Sequence, residues 1–212
     1  MFDHPKSGIN NFLSFIKGKK IILIFSVVIF LLLGFLLTII KPLEYSSKVS
    51  VLIIQKINPN LDAYTAARAA EKLGKNLSSV IYTTSFFDKV RHSNFDLKFN
   101  LPTSERQRRQ AWQRKISTSI NPDTSILEIT AYDKDKKEAE KLAQVIAYVL
   151  ATEGQEYHGG GDDIVIKPVN TALTSNYPTR PNLLVNIGGG LILGFVFGIL
   201  IIFWQFNKKF NK

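Results

Sequence analysis

Two uncharged apolar runs bracket the chain, Ile21 to Ile40 near its start and Leu183 to Phe206 near its end. A helix advances about 1.5 Å per residue and the hydrocarbon core of a bilayer is about 30 Å thick. Roughly 20 apolar residues therefore suffice to cross it, and both runs qualify. Everything between them, 41–182, is then expected on one side of a membrane. The expected layout is a basic tail over 1–20, a transmembrane helix over 21–40, an outer domain over 41–182, a second transmembrane helix over 183–206 and a short tail over 207–212.

Charge beside the runs predicts the orientation, because lysine and arginine resist translocation. The first tail carries Lys6, Lys17, Lys19 and Lys20 against Asp3 alone, and the last carries Lys208, Lys209 and Lys212 with no acid. Both ends are expected in the cytoplasm, and the domain in the periplasm or outside the cell. Much of the formal net charge of +10 thus sits in tails that orient the spans and meet anionic lipid, so it gives no reason to invoke nucleic acid. A cleaved signal peptide is the competing reading of the first run. It is disfavoured because a secretory apolar region is about 7 to 15 residues long and ends in small residues, whereas this run exits through Thr38, Ile39, Ile40, Lys41 and Pro42. Upstream, Ile9, Phe12, Leu13 and Ile16 fall at helical spacing, which suits either a helix lying in the interface or a disordered basic tail.

The segment between the runs has room for one small domain, and the chain has no cysteine, so packing must hold that domain without disulfides. Tyr45 to Gln55 reads as a strand that ends at the breakers Asn58, Pro59 and Asn60. Leu73, Leu77, Val80 and Ile81 form the apolar stripe of a helix starting near Leu61. A short helix capped by Ser85 turns Phe86, Phe87 and Val90 inward. Thr103 or Ser104 opens a polar helix to about Arg114. Lys115 to Ile120 and Ser125 to Tyr132 form a hairpin around Asn121, Pro122 and Asp123. Asp133 to Asp135 cap a long helix reaching about Tyr157, with Ala139, Leu142, Ala143, Ile146, Ala147 and Leu150 on its apolar face. His158 to Gly161 end it, Asp163 to Val169 is a final strand, and an irregular polar segment with Pro178 and Pro181 leads to the second run. The fold class is α+β: two transmembrane helices flanking a small outer α/β domain, a mixed sheet of about four strands packed on helices.

No catalytic, metal or cofactor site is expected. His4, His92 and His158 stand apart in sequence without metal-ligand spacing. Gly159 to Gly161 are followed by Asp162 and Asp163, where a phosphate loop needs a lysine and a hydroxyl; the pair reads as a solvated turn. Asn76, Leu77 and Ser78 match a glycosylation sequon inside a predicted helix, where the match is fortuitous. Arg106, Arg108, Arg109 and Arg114 around Trp112 have the composition of an anion or glycan face, against the alternative of a solvated helix surface. In the second run Gly190, Gly194 and Gly198 recur every fourth residue, with Gly188 and Gly189 just before, and so present a small-residue face that lets another helix approach closely. Whether that helix is the first run or another copy is not decided by spacing.

Three stretches then carry a resemblance: Tyr45 to Ile54 after the first run; Ser125 to Ala147, where SILEITAYDKD runs into KKEAEKLAQVIA; and Ile164 to Gly198, where IVIKPVNTALTSNYPTRPN precedes the glycine-rich run. Their order resembles the Wzz chain-length determinant family, the polysaccharide co-polymerases. The resemblance implies a non-catalytic protein of the bacterial inner (plasma) membrane that forms homo-oligomers and regulates the length or export of O-antigen, capsule or exopolysaccharide. It implies lipid-linked glycan, a glycan polymerase and a flippase, or a separate tyrosine kinase, as partners. Pro178 and Pro181 correspond to the family's proline-rich segment, which starts near Ala172 and lacks one expected proline. The small outer domain resembles the compact capsule or exopolysaccharide type, and the six-residue last tail carries no kinase signature. A two-span sensor and a secretion-machine scaffold share the layout; the tails are small for a sensor's output domain, and secretion scaffolds usually have one span.

Overall fold

A computed structural model of the chain describes residues 14–56, 62–98, 102–121, 124–159 and 163–210. The elements in chain order are α1 (Lys20–Ile40), β1 (Tyr45–Gln55), α2 (Ala63–Val80), α3 (Thr84–His92), α4 (Glu105–Lys115), β2 (Ile116–Asn121), β3 (Ile126–Asp133), α5 (Lys136–Glu153), α6 (Gln155–His158), β4 (Ile164–Pro168), β5 (Leu173–Thr174) and α7 (Leu183–Phe210). They form two compact units, Met1–Pro42 with Pro181–Lys212, and Leu43–Arg180. Expectations at Ile9, Phe12, Leu13, Asn58 to Asn60, Pro122, Asp123 and Gly160 to Asp162 lie outside the described residues.

The first unit is a pair of apolar helices. Lys20–Ile40 and Leu183–Lys208 are each long and apolar enough to cross a membrane. Their large side chains mostly point outward, with Ile21 75% and Leu184 82% exposed. A soluble core helix would bury that surface, so these faces suit hydrocarbon as solvent. Lys41 leaves α1 in an extended conformation, as a residue before proline must. At the start of α7, the Asn182 carboxamide oxygen accepts from the Val185 N–H at 3.2 Å and satisfies one of the amides that a helix start leaves open.

The second unit is an α+β domain built on β1. This strand pairs with β3 along one edge and with β4 and β5 along the other, giving the order β2-β3-β1-β4 with β5 beside the first half of β1. Every strand pairing among the described residues is antiparallel, which corrects the expected mixed sheet. The hairpin β2-β3 forms, with Ile116 opposite Ala131 and Ile120 opposite Leu127. Ser125 closes its turn at φ 53°, a left-handed conformation rare outside glycine. Because side chains alternate along a strand, one face of the sheet presents Ser47, Val49, Val51, Ile53, Leu127, Ile129 and Ala131, all buried.

Helix α5 packs against β1, β3 and β4. Its six expected inward residues are buried, and so are Val145 and Val149. A second buried face is what α5 needs, since α3 with Phe86, Phe87 and Val90 also packs against it. The Asp135 carboxylate accepts from the amides of Lys137 and Glu138 at 2.7 and 3.4 Å and caps α5. Asp62 caps α2 in the same way, and its hydrogen bonds, first that from the Thr65 hydroxyl, hold its carboxyl below the usual range. The cap of α3 is Thr83, not Ser85: the Thr83 hydroxyl accepts from the Phe86 amide at 3.3 Å, while the Ser85 hydroxyl meets that of Tyr157 at 3.0 Å. The long helix stops at Glu153 rather than near Tyr157. A Cβ at Gly154 would run into the Leu150 carbonyl and the Ile166 side chain, so the residue there must be small. Gly159 then closes α6 at φ 64°, where glycine carries no steric penalty. Lys89 of α3 reaches Glu153 and Glu156 at 2.6 and 2.9 Å, and these carboxylates hold its ammonium above the ordinary range.

Leu127 is fully buried where β3 meets β1. Leu127→Ala is expected to destabilise the domain by about 2–5 kcal/mol through lost burial and a residual cavity. Asp135→Ala should cost about 0.5–2 kcal/mol through the lost cap. Thermal unfolding followed by circular dichroism in detergent measures both, and equal losses would contradict this account of the core.

Candidate functional site

The four features that bear on function are the glycine seam of the helix pair, the closure of the domain, the basic helix α4 and the histidines. The seam is built on Gly190, Gly194 and Gly198. A Cβ placed on Gly190 would stand 2.7 Å from the Phe30 carbonyl oxygen, one on Gly194 2.7 Å from the Val27 Cα, and one on Gly198 3.2 Å from the Leu23 Cα. The stripe therefore faces α1 of the same chain, at a separation that side chains would prevent. Gly188 and Gly189 face open space. Gly34 makes the reciprocal approach from α1, beside the Asn186 carbonyl.

Polar side chains lock this seam at two levels. The Ser26 hydroxyl donates to the Gly194 carbonyl at 2.9 Å. The Thr38 hydroxyl donates to the Gly34 carbonyl and accepts from the Asn186 carboxamide N–H, each at 2.9 Å. Phe30 and Phe197 meet across the helix pair with ring centroids 5.3 Å apart. Ser26, Gly34, Thr38 and Asn186 were not among the residues expected to matter. Their signal is polarity or small size within an otherwise apolar run, where each polar group needs a partner.

Pro178 and Pro181 flank the closure of the domain. Between them, Thr179 and Arg180 donate their amides to the Glu44 carbonyl at 2.8 and 3.2 Å, and the Glu44 amide donates to the Arg180 carbonyl at 2.9 Å. Proline has no N–H, so this pairing falls on the two residues between the prolines. The segment expected to be irregular instead runs back along β1, through β5 and this bridge. The Arg180 guanidinium lies 3.3 Å from the Tyr132 ring centroid and donates to the Arg114 carbonyl at 2.7 Å.

Helix α4 divides the expected basic and aromatic face. Trp112 is not on it: the side chain is 1% exposed, donates its indole N–H to the Ile81 carbonyl at 2.8 Å and packs on Phe87 at 5.2 Å. An indole fills core volume when its one polar group is satisfied, and here it is. Arg108 is half-buried over the Phe87 ring, while Arg106, Arg109 and Arg114 are exposed.

The histidines stay apart. His92 engages the Asp88 carbonyl through Nδ1 at 2.7 Å. His158 lines a cleft of about 310 Å³ with Lys56, Gln155, Leu150 and Ile166. Among the described residues no group of three or more His, Asp or Glu is placed to hold a metal ion.

These features define a small α+β domain carried between two helices that are each able to cross a membrane. No family model matches the chain. It is 26% identical over 195 residues to the capsular polysaccharide biosynthesis protein CpsC of Streptococcus agalactiae, a match covering 90% of this chain and 77% of that protein. It matches the protein of the same name from Streptococcus agalactiae serotype Ia equally well.

Gly194→Ile is expected to lower the melting temperature of the detergent-solubilised chain and expose its helices to protease, whereas Gly189→Ile should leave both near wild type. Equal effects would refute the seam. For His158, burial holds the imidazole below its ordinary value of 6.5. The unfolded chain then takes up the proton first, so this contribution to stability is intact above about pH 6.5 and lost as the pH falls below it. Melting curves from neutral pH downward should show that loss, and His158→Gln should flatten it.

Proposed function

We propose that this chain is a non-catalytic scaffold of the bacterial inner (plasma) membrane that serves the biosynthesis of a capsular or related surface polysaccharide. It crosses twice, with both termini in the cytoplasm and the α+β domain outside, and it sets the length or the export of the polymer. The observation that carries this reading is the similarity to CpsC along 90% of the chain. The resemblance to the Wzz family in the strand, hairpin, long helix and glycine-rich run supports the same reading.

Physically, such a scaffold works by position. Copies of the domain held on paired helices would keep membrane polymerases at fixed spacing or retain the growing glycan along their surface. Polymer length then reflects a dissociation time rather than a cut. The partners in this reading are a glycan polymerase and flippase or a separate tyrosine kinase, with the nascent lipid-linked glycan as client.

Gel analysis of surface polysaccharide from cells with and without the gene tests the proposal. Loss of a preferred length with polymer still made is the result expected of a length regulator, and loss of polymer is the result expected of an export role. An unchanged ladder would overturn both.

A further inference from the structure

We propose that the end of the domain bearing its two chain junctions, Leu43 and Arg180, is a docking surface for anionic phospholipid headgroups. The pairing of Glu44 with Arg180 brings both junctions to that end. The start of β1, the start of β2 and the end of β3 meet there, with Tyr45 opposite Asp133 and Ile116 opposite Ala131. The end of α4 joins them through the contact of Arg180 with the Arg114 carbonyl. The start of α5 joins them through Lys136, whose ammonium donates to the Asn176 carbonyl at 2.8 Å and lies 4.9 Å from the Tyr45 ring centroid.

Charge on this end is mostly positive. Its cations are Arg114, Lys115, Lys134, Lys136, Lys137 and Arg180, against Glu44, Asp133, Asp135 and Glu138. Lys115 is paired with Asp133, and the Asp135 carboxylate is occupied by the amides that start α5. Among the described residues, Arg114, Lys134 and Lys137 are exposed without a carboxylate in ion-pair reach. Lys136 and Lys137 stand in the first turn of α5, beside the capping Asp135 and Glu138. The other component of an interfacial surface is present too. Tyr177, in the segment hydrogen-bonded along the start of β1, is 81% exposed, and Leu43 is 58% exposed. Tyrosine beside lysine and arginine is the composition that favours the headgroup layer.

Covalent reach makes the headgroups available. Leu43 follows the end of α1 by three residues and Arg180 precedes the start of α7 by three. An extended chain covers at most about 3.6 Å per residue, so neither junction is more than about 11 Å from its helix end. The headgroup layer is roughly 5–8 Å deep on each side of the hydrocarbon. Lysines held there are drawn to anionic lipid within a Debye length. The inference rests on the reading that α1 and α7 cross a membrane.

Lysine acetylation of the full chain in nanodiscs, read by mass spectrometry, tests it. In discs with a third phosphatidylglycerol, Lys134, Lys136 and Lys137 should react several-fold more slowly than in pure phosphatidylcholine discs, and high salt should restore the rates. Lys72 and Lys167 serve as unaffected controls, and Lys19 and Lys20 as protected ones. Equal rates in the two discs would overturn the proposal. Protection by inorganic diphosphate in phosphatidylcholine discs would also overturn it, assigning the surface to a phosphate ligand instead. If the chain does not enter discs at all, the two-span reading fails and takes this inference with it.

Discussion

The domain depends on β1 being paired along both of its edges. A strand with two hydrogen-bonded neighbours has no free backbone groups over most of its length, and here all the neighbours come from the second half of the domain sequence. β3 supplies one edge, and β4, β5 and Arg180 supply the other. Because β1 is central, its alternation puts Val49, Val51 and Ile53 under α5, and the rest of the core assembles on that face. The final segment, Ser175 to Arg180, is ordered by the same strand and has little packing of its own. Backbone satisfaction explains that order better than side-chain burial does.

Much of this was legible in the sequence, for identifiable reasons. The two apolar helices, the β2-β3 hairpin and the apolar face of α5 each rest on a repeating pattern many residues long, and such patterns survive local noise. The cap of α3 rests on a single hydroxyl, and Thr83 and Ser85 are both chemically able to supply it; backbone geometry chose Thr83. The need for a small residue at Gly154, where the helix stops, involves Ile166, a contact across the fold that no local pattern encodes. Strand direction belongs to topology, and a two-residue strand such as β5 has no period to detect.

The candidate site shows the same division. Gly190, Gly194 and Gly198 were visible as a stripe, but the helix they face was not, since spacing is identical for an internal and an external partner. Gly34, Ser26, Thr38 and Asn186 complete the seam and were passed over because each is isolated in an apolar run. Composition also misassigned Trp112. Its basic neighbours suggested a surface, yet an i, i+4 relation to Arg108 places it under Phe87, where the indole N–H finds the Ile81 carbonyl.

The sequence separation of the strands around β1 has a consequence for biogenesis. β1 occupies residues 45–55, whereas its second edge comes from residues 164–180. During synthesis the first strand emerges early and then waits for more than a hundred residues before that edge can close. Loop closure over such a separation is slow, and an unpaired strand is prone to join the wrong neighbour. The residues that complete the sheet are also the last before the second apolar helix. Completion of the domain is therefore tied in time to the arrival of that helix, and a chain stalled short of it would leave its founding strand open on one side.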